Sequence, residues 1–389
     1  MPKLIIDEKE IAYLTAIRHD LHAHPELGFE EKRTSSIVAA ELEKLGIDIH
    51  RGLAGTGVVG SLNVGNGTRT IALRADMDAL AMPETGTPDY KSKSPGKMHA
   101  CGHDGHTTML LGAARYLAKT RKFSGKVHFI FQPAEEGRGG AKRMIEDGFF
   151  DLFPSDAVYG LHNMPGLDVD EMAVVPGAQL ASSDSWFVTF RGVGTHGAKP
   201  HLGRDAITAS GHFLSSLQTI VGRVVDPLQP AVVSACSVQA GDPDALNVIP
   251  DFVKIGGTAR AYTSQVRDQL EAEIGRLAKG VAQMFNIEVD YHFKRRIPPV
   301  VNNSDITARA LKAARHVCEN KVVTDFPPST AGDDFSFFSE QVPGAYVWLG
   351  NGPAIEGALH HNTSYDFNDR AIVTGVGFWV QLVEQELCN

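Results

Sequence analysis

The chain has 389 residues, of which 43% are hydrophobic and 21% are charged, a composition typical of soluble globular proteins. A single hydrophobic core rarely extends over this length, so we expect two domains. The formal net charge of -9 and the sequence pI near 6.0 argue against a nucleic-acid partner, which would require clustered basic surface. A small-molecule function is therefore expected.

The opening stretch, the lengths of the apolar runs and the number of cysteines together predict a cytoplasmic protein. The opening stretch, "MPKLIIDEKEIAYL", carries acidic residues where a signal peptide needs an apolar core, and no apolar run is as long as a membrane span. The cysteines are few and scattered, which does not suggest a disulfide framework. They are Cys101, Cys236, Cys318 and Cys388.

The first half of the chain alternates helical and strand-like patterns. Helical spacing marks "EIAYLTAIRHDLHAH", which stops before Pro25, and "TSSIVAAELEKLG", which starts with a capping hydroxyl. Buried strands are expected at "TIALRAD", "KVHFIFQP", "DAVYGLHN" and, near the C-terminus, "GAYVWLGNG". The helical stretch "TTMLLGAARYLAKT" separates the first two strands. This order predicts an α/β domain with a parallel or mixed sheet.

A second pattern begins near residue 184. Strands are expected at "SWFVTFRG", "AVVSACSVQAG", "DFVKIGGTARAY" and "IEVDYHFKR", and helices at "DAITASGHFLSSLQTIVGRV" and "SQVRDQLEAEIGRLAKGVAQMF". The order βαββαβ is that of a ferredoxin-like α+β unit. We predict that this unit, residues 184–297, is inserted into a larger domain formed by residues 1–183 and 298–389.

Potential metal ligands follow the predicted strands of the larger domain. In open α/β sheets, ligands bind in the crevice beyond the carboxyl ends of the strands. The candidates there are Asp76, Asp78, Glu135, Glu136, His162, His360 and His361.

The stretch "ACGHDGH" supplies further candidates, Cys101 and His103. Gly102 between them permits an irregular backbone that aims both side chains at one point, and Asp104 is expected to cap the following helix. A thiolate with imidazoles and carboxylates suits zinc or a neighbouring first-row ion. The alternative interpretation of Cys101 is a buried small residue beside a helix cap.

The adjacent Glu135 and Glu136 would repel each other unless a cation or a proton relieves them. One can bind metal while the other acts as a general base, although an isolated acidic pair is more often a solvated turn. In the inserted domain, His196 lies in a glycine-rich loop after a strand. Asn247 and Arg260 are either strand-end residues or substrate contacts, since Arg can grip a carboxylate with two hydrogen bonds.

Eight stretches together resemble one known family. They are "IRHDLHAHPELGFEE", "LRADMDAL", "HACGHDGH", "QPAEEG", "GVGTHGAKPHLGRDAI", "NVIPD", "GTAR" and "LHHNTSYDFND", in order from Ile17 to Asp369. The family is that of the metal-dependent amidohydrolases, which includes N-acyl-amino-acid amidohydrolases, hippurate hydrolases and auxin-conjugate hydrolases, relatives of the aminoacylases. The resemblance implies a metallopeptidase-like catalytic domain and an inserted domain that serves as lid and dimerisation domain.

The resemblance also implies roles for individual residues. Glu135 falls at the general base, and Asp76 at an aspartate that orients the site from behind the ligands. In the lid, His196 would reach the partner subunit's active site and polarise the substrate carbonyl, while Asn247 and Arg260 would bind the substrate's polar end. "TAGDDFSFF" has Asp333 where the family usually has glutamate and is given no role. The implied ligands of two divalent ions are Cys101, His103, Glu136, His162 and His361.

The expected activity is metal-dependent hydrolysis of N-acyl or N-aroyl amino acids to a carboxylic acid and a free amino acid, by a homodimer or a dimer of dimers. Zinc, manganese, cobalt and nickel all remain candidates for the ions. Three alternatives stay open: dipeptidase or carboxypeptidase cleavage by the same site, an amidase with Cys101 as nucleophile, and a catalytically silent binding protein that keeps the metal pocket.

Overall fold

The computed structural model describes residues 6–355 and 359–388. The chain splits into two compact units, of which the first comprises Met1–Gly177, Val301–Pro327 and Asp333–Asn389, and the second Ala178–Val300 and Pro328–Gly332. Residues 1–5, 356–358 and 389 lie outside the described residues. They include both ends of the predicted larger domain and the first five residues of the opening stretch "MPKLIIDEKEIAYL".

The helices and strands are numbered along the whole chain. The helices are α1 (Glu8–Ala23), α2 (Lys32–Lys44), α3 (His103–Thr120), α4 (Glu135–Arg138), α5 (Gly140–Glu146), α6 (Phe149–Leu152), α7 (Ala206–Thr219), α8 (Ser264–Phe285), α9 (Ser304–Cys318), α10 (Ser336–Gln341) and α11 (Ala371–Glu386). The strands are β1 (Asp48–Leu53), β2 (Gly57–Val64), β3 (Thr70–Asp76), β4 (Gly125–Gln132), β5 (Ala157–Met164), β6 (Met172–Ala173), β7 (Gly177–Leu180), β8 (Ser183–Arg191), β9 (Thr195–His196), β10 (Ala231–Ala240), β11 (Val248–Ile249), β12 (Phe252–Ala261), β13 (Glu288–Ile297), β14 (Val300–Asn302), β15 (Val322–Val323) and β16 (Gly344–Gly350).

The first unit is built on a mixed eight-stranded sheet in the order β1-β2-β4-β3-β5-β16-β6-β15. Strands β4, β3, β5 and β16 run parallel to one another, and β2 and β1 extend the sheet with antiparallel pairs. The four parallel strands are almost wholly buried, as expected where both faces of a sheet are covered. The predicted α/β class with a mixed sheet is confirmed.

Helix α3 packs against α1, α11 and β3. Gly112 permits the close approach of the three helices, because a Cβ there would lie 2.7 Å from a methyl group of Val376 and 2.8 Å from one of Leu14. Leu110 and Leu111 on the same helix are fully buried in the core. This packing fixes the N-terminal end of α3, at which His103 lies.

The second unit contains a four-stranded antiparallel sheet in the order β10-β12-β8-β13, with α7 and α8 packed on it. Its chain order, β8-α7-β10-β12-α8-β13, is the predicted βαββαβ order of a ferredoxin-like unit. Trp186, Phe190 and Phe213 are fully buried in its own hydrophobic core. A separate two-stranded ladder pairs β9 with β11.

Three local predictions are wrong. Helix α2 begins at Lys32, before Thr34, and Glu31 stands at its cap without a capping hydrogen bond. The cap of α3 is Gly102 in the left-handed region, which leaves Asp104 in the first turn. Asp76 and His162, which were expected just past their strands, lie within β3 and β5, since these strands end at Asp76 and Met164. In the described part of the chain, no helix is long and apolar enough to cross a membrane.

Candidate metal centre

Cys101, Glu136 and His361 form a first group of potential ligands. One ligand atom from each lies within 4.8 Å of the others. The loop that carries His361 is tied to the cysteine loop, because the backbone N–H of His361 donates to the carbonyl of Ala100 over 2.8 Å. Three sequence-predicted ligands, 260 residues apart at the extremes, thus meet at one point.

A second group joins the first from the side of β3 and β5. It comprises Asp76, His103, His106 and His162, again with ligand atoms within 4.8 Å of one another, and His103 also forms such a group with Glu135 and Glu136. The two groups meet where Cys101 Sγ lies 3.4 Å from His162 Nε2. All five sequence-predicted ligands therefore line one continuous site in the first unit.

Two of the histidines are oriented by backbone carbonyls. His103 Nδ1 lies 2.9 Å from the carbonyl oxygen of Asp78, and His162 Nδ1 lies 2.7 Å from that of Asn163. A carbonyl only accepts hydrogen bonds, so Nδ1 donates in both rings, and in the neutral form of each ring Nε2 carries the lone pair. His103 Nε2 is buried and has no hydrogen-bond partner among the described residues.

His106 is a residue of the site that the sequence reasoning missed. Its Nδ1 lies 2.6 Å from Asp76 Oδ1, and its Nε2 accepts a 3.0 Å hydrogen bond from the backbone N–H of Asn163. Both ring nitrogens are thus engaged, and His106 holds Asp76 in place. Its position three residues after His103, on the same face of α3, is the signal that could have identified it.

Asn163 connects His360 and Tyr365 to the cysteine loop. Its side-chain nitrogen donates to the carbonyl of Cys101 over 2.6 Å, and its side-chain oxygen accepts from Tyr365 over 2.7 Å. The same oxygen lies 2.9 Å from His360 Nε2. His360 is therefore engaged with Asn163, whereas the neighbouring His361 joins the group with Cys101 and Glu136.

Arg74 and three aspartates form a buried network behind the site. The guanidinium group is completely buried and donates to Asp76 over 2.6 Å and to Asp333 over 3.0 Å, with a longer contact to Asp334. Tyr346 donates to Asp333 over 2.7 Å. Asp333, which the sequence left without a role, thus belongs to the surroundings of the site.

Burial raises the pKa of two groups at the centre, Glu135 and Cys101. It raises the pKa of Glu135 well above the usual value, and the nearby Asp333 and Glu136 carboxylates raise it further. Burial also raises the pKa of the Cys101 thiol, to which the charge of Glu136 adds. Uncompensated negative charge is costly here, so a bound cation would stabilise the ionised forms of both residues.

Asp78 holds the turn that carries the two glutamates. We call residues 133–138, between β4 and α5, the glutamate turn. The Asp78 carboxylate accepts hydrogen bonds of 3.0 Å from the backbone N–H groups of both Glu135 and Glu136. The turn is irregular, since Ala134 has φ of 57° and Gly137 has φ of 70°. Both glutamate side chains depend on these backbone contacts for their direction.

The three remaining sequence-predicted residues lie in the second unit. His196 lies in β9 and is exposed, and its Nδ1 accepts a 3.0 Å hydrogen bond from the backbone N–H of Ala198. The exposed Asn247 is nearby, because its carbonyl accepts from the backbone N–H of Gly197 over 2.7 Å. Arg260 lies in β12 of the four-stranded sheet and is half-buried.

The donor set of the first unit fits transition-metal binding. It combines a thiol, carboxylates and imidazoles, a mixture that suits zinc and its first-row neighbours better than magnesium or calcium. The Nδ1 of His103 and the Nδ1 of His162 each donate to a backbone carbonyl. This is the arrangement found behind metal-bound imidazoles. The Nε2 atom of His103, which is buried and has no hydrogen-bond partner among the described residues, is the polar atom that an ion would satisfy.

Comparisons with known proteins identify relatives over nearly the whole chain. The model of "Peptidase family M20/M25/M40" matches residues 72–385. The hippurate hydrolase of Campylobacter jejuni is 42% identical over 368 residues, which cover 94% of each chain. Thermostable carboxypeptidase 2 of Saccharolobus solfataricus is 36% identical over 371 residues, covering 94% of this chain and 93% of its own.

A solved structure agrees in fold. The YXEP protein of Bacillus subtilis, described as a dinuclear metal binding peptidase from the M20 family, superposes with a TM-score of 0.86 at 32% identity. The match covers 98% of this chain and 99% of that one.

His22 on α1 contacts Asp104 in the first turn of α3. His22 Nδ1 lies 2.8 Å from Asp104 Oδ2, and its Nε2 lies 3.2 Å from Glu84. Arg18 also donates to Asp104, over 3.0 Å. Burial lowers the pKa of His22, but these two carboxylates more than offset it and raise the pKa to about 9.

This pKa predicts how stability depends on pH. A histidine whose pKa rises on folding stabilises the fold fully below its unfolded pKa of about 6.5, and the contribution is lost as the pH rises through about 9. For His22 the loss is on the order of 3 kcal/mol. We expect the free energy of unfolding of His22→Gln, measured with urea, to lie furthest below that of the wild type near pH 6. The difference should become small near pH 9.5. His24→Gln, with a side chain one-third exposed, is the control, and a gap between wild type and His22→Gln that is constant with pH would contradict the assignment.

Proposed function

Because the chain belongs to the peptidase family M20/M25/M40, we propose that it hydrolyses the amide bond of N-acyl or N-aroyl amino acids, releasing a carboxylic acid and a free amino acid. The family makes it a metal-dependent hydrolase. The substrate class is inferred from the hippurate hydrolase, which is 42% identical over 94% of each chain. Four free cysteines are consistent with a reducing compartment, and we propose the cytoplasm.

The observation that carries the proposal is the division between two adjacent glutamates. Glu136 reaches the group formed with Cys101 and His361, and Glu135 lies beside it in the group with His103. One glutamate is thus available as a ligand while its neighbour faces the same point without being needed for binding. A site for recognition alone has no use for the second carboxylate, whereas amide hydrolysis needs a proton carrier.

We assign two divalent ions per chain to Cys101, His103, Glu136, His162 and His361. When bound, such ions supply Lewis acidity, which makes water nucleophilic at neutral pH and polarises a carbonyl group. Asp76, fixed by Arg74 and His106, would keep the imidazoles in orientation. Zinc and manganese are the first metals to test, since softness favours zinc and availability can favour manganese.

Glu135 is assigned as the general base. It accepts the proton of the attacking water and later delivers it to the nitrogen of the leaving amine. The burial that raises its pKa, together with Asp333, helps it to hold the proton between these two events. The position of the carboxylate is set by Asp78, which fixes the backbone of the turn.

The second unit is proposed to be the lid and dimerisation domain. Its exposed His196 would donate to the oxygen of the scissile carbonyl in the partner subunit's active site. Asn247 would bind the polar end of the substrate, and Arg260 would bind its carboxylate with two hydrogen bonds.

An exposed edge strand supports the homodimer. Strand β10 forms one edge of the four-stranded sheet, and its Val232 and Val238 have exposed fractions of 38% and 52%. A ten-residue edge strand with apolar side chains is prone to pair with another chain. We propose that two copies associate through this unit, as a dimer or a dimer of dimers.

The structure weighs against the nucleophilic role of Cys101. Reactive cysteines have a lowered thiol pKa, supplied by a helix N-terminus or a neighbouring cation. Here burial and Glu136 raise the pKa of the thiol. The thiolate would be stabilised only by a bound cation, as expected of a ligand.

Carboxypeptidase cleavage is the second candidate activity. A peptide and an N-acyl amino acid present the same amide bond next to the same terminal carboxylate, and a relative named thermostable carboxypeptidase 2 is 36% identical to this chain. Hippurate and a dipeptide such as Gly-Phe would distinguish the two activities by kcat/KM.

Glu135→Gln is the variant that tests the division of roles. Loss of a general base costs on the order of a hundredfold to ten-thousandfold in kcat, whereas the amide leaves the ligands in place. We expect turnover of hippurate to fall by that amount and bound metal, measured by atomic emission, to stay at the wild-type level. Glu146→Gln, on the exposed face of α5, is the matched control. Loss of metal from Glu135→Gln would instead make Glu135 the ligand and Glu136 the base.

The action of His196 across the dimer is tested by mixing inactive chains. We expect the Glu135→Gln and His196→Ala proteins each to be inactive alone. A heterodimer purified with two different tags contains one site with an intact Glu135 and the partner's intact His196. It should regain about half of the wild-type activity. A heterodimer as inactive as its parents would show that His196 does not act on the partner's site.

A further inference from the structure

Residues 26–31, the end of the stretch "HPELGFEE", have no part in the reaction proposed above. They lie between α1 and α2, where a connection would usually be exposed. Glu31 is nevertheless completely buried, and Gly28 is buried as well. A buried carboxylate in a connecting segment needs partners to offset its loss of water.

The partners of Glu31 lie in the glutamate turn and in the loop before β2. One carboxylate oxygen accepts a 2.8 Å hydrogen bond from the backbone N–H of Ala134, and the other accepts a 2.6 Å hydrogen bond from the hydroxyl of Thr56. Ala134 immediately precedes Glu135 and has a left-handed backbone, with φ of 57°. A residue other than glycine holds this conformation only where its surroundings impose it.

Gly28 packs directly against the same turn. A Cβ at position 28 would lie 2.9 Å from Ala134 Cα and 2.8 Å from Arg138 Cδ. Arg138 in turn donates to the carbonyl of Gly28 over 3.3 Å. The two backbones are thus in contact with no room for a side chain between them.

The segment also contacts the residues that hold the turn from the other side. The backbone N–H of Ala79 donates to the carbonyl of Glu26 over 2.8 Å, and Leu27 and Ala79 form a parallel bridge. Ala79 follows Asp78, whose carboxylate accepts from the N–H groups of Glu135 and Glu136. Three consecutive N–H groups of the turn, at positions 134–136, are therefore bound by two carboxylates.

We propose that residues 26–31 position the glutamate turn, with Glu31 as a positioning residue for Glu135 and Glu136. The roles of the two glutamates rest on the function proposed above, whereas the contacts do not. Without the bond from Glu31, Ala134 can relax from its left-handed conformation, and both glutamate side chains then move. Small displacements of this kind reduce turnover strongly, because the proton carrier must stay within hydrogen-bonding distance.

Glutamine should replace Glu31 with little loss. Its side-chain oxygen can accept from Ala134, and its amide can donate to the hydroxyl oxygen of Thr56. Burial, reinforced by Asp78 and opposed by the Thr56 hydrogen bond, raises the pKa of Glu31 to about 7, so that the carboxyl group is only partly ionised at neutral pH. Rescue by glutamine but not by alanine therefore distinguishes positioning from a need for charge.

The experiment compares Glu31→Ala, Glu31→Gln and Gly28→Ala in the full chain. We expect kcat for hippurate to fall roughly 10- to 100-fold in Glu31→Ala and Gly28→Ala, with KM nearly unchanged, and Glu31→Gln to stay within about threefold of wild type. Glu41→Ala is the matched control, since Glu41 on α2 is also buried and hydrogen-bonded but lies outside the turn. Gly280→Ala, at an exposed helical position with open space, controls for the glycine substitution.

Titration of the chelator-stripped proteins with Co²⁺ alone gives a readout independent of turnover. Because Glu136 is on the turn, we expect Glu31→Ala and Gly28→Ala to bind Co²⁺ about tenfold more weakly and to show a changed visible spectrum. Wild-type kcat and wild-type Co²⁺ affinity in both variants would overturn the proposal, as would equal losses in Glu41→Ala. If Glu31→Ala fails to fold, the kcat and the Co²⁺ affinity of Gly28→Ala decide whether the proposal holds. Wild-type protein that binds Co²⁺ but hydrolyses no amide would refute the proposed function, and the Co²⁺ titration would still test the positioning.

Discussion

The burial of many negative groups around one point is the constraint on which the rest of the structure depends. Carboxylates and a thiol converge beyond the ends of four parallel strands, in a part of the molecule where an ion without partners is costly. The guanidinium group of Arg74 is buried among them and forms ion pairs with Asp76 and Asp333. A site of this composition is stable when cations or protons neutralise the charge. We infer that divalent ions do so, and that the pKa of Glu135, raised chiefly by burial, is a consequence of the same desolvation.

Backbone N–H groups share this task with the cations. Asp78 and Glu31 bind three consecutive N–H groups of the glutamate turn, and Asp334 binds the N–H of Ala141 just beyond it. Each of these carboxylates gains hydrogen bonds for its lost hydration, and the turn gains a single conformation. The same contacts therefore stabilise the buried carboxylates and position the glutamate turn, as preorganised catalytic sites require.

The sequence predicted the part of this arrangement that local patterns determine. Strand and helix periodicity located the mixed sheet and the βαββαβ unit, and ligand types just past buried strands pointed to Glu135, Glu136 and the cysteine loop. It could not choose between His360 and His361 by periodicity, because that choice depends on the contact between His360 and Asn163. Asp333 and Glu31 were beyond its reach for the same reason. Their partners, Arg74 and Ala134, lie 259 and 103 residues away along the chain.

The most direct test of the account is amino-acid release from a panel of N-acyl amino acids by chelator-stripped protein, with and without added Zn²⁺ or Mn²⁺. If bound divalent ions drive the hydrolysis, activity disappears on stripping and returns with the metal. Activity that survives thorough stripping would contradict it and make Cys101 a nucleophile. A lack of hydrolysis of every substrate, with either metal bound, would contradict it as well and favour a binding protein that retains the metal pocket.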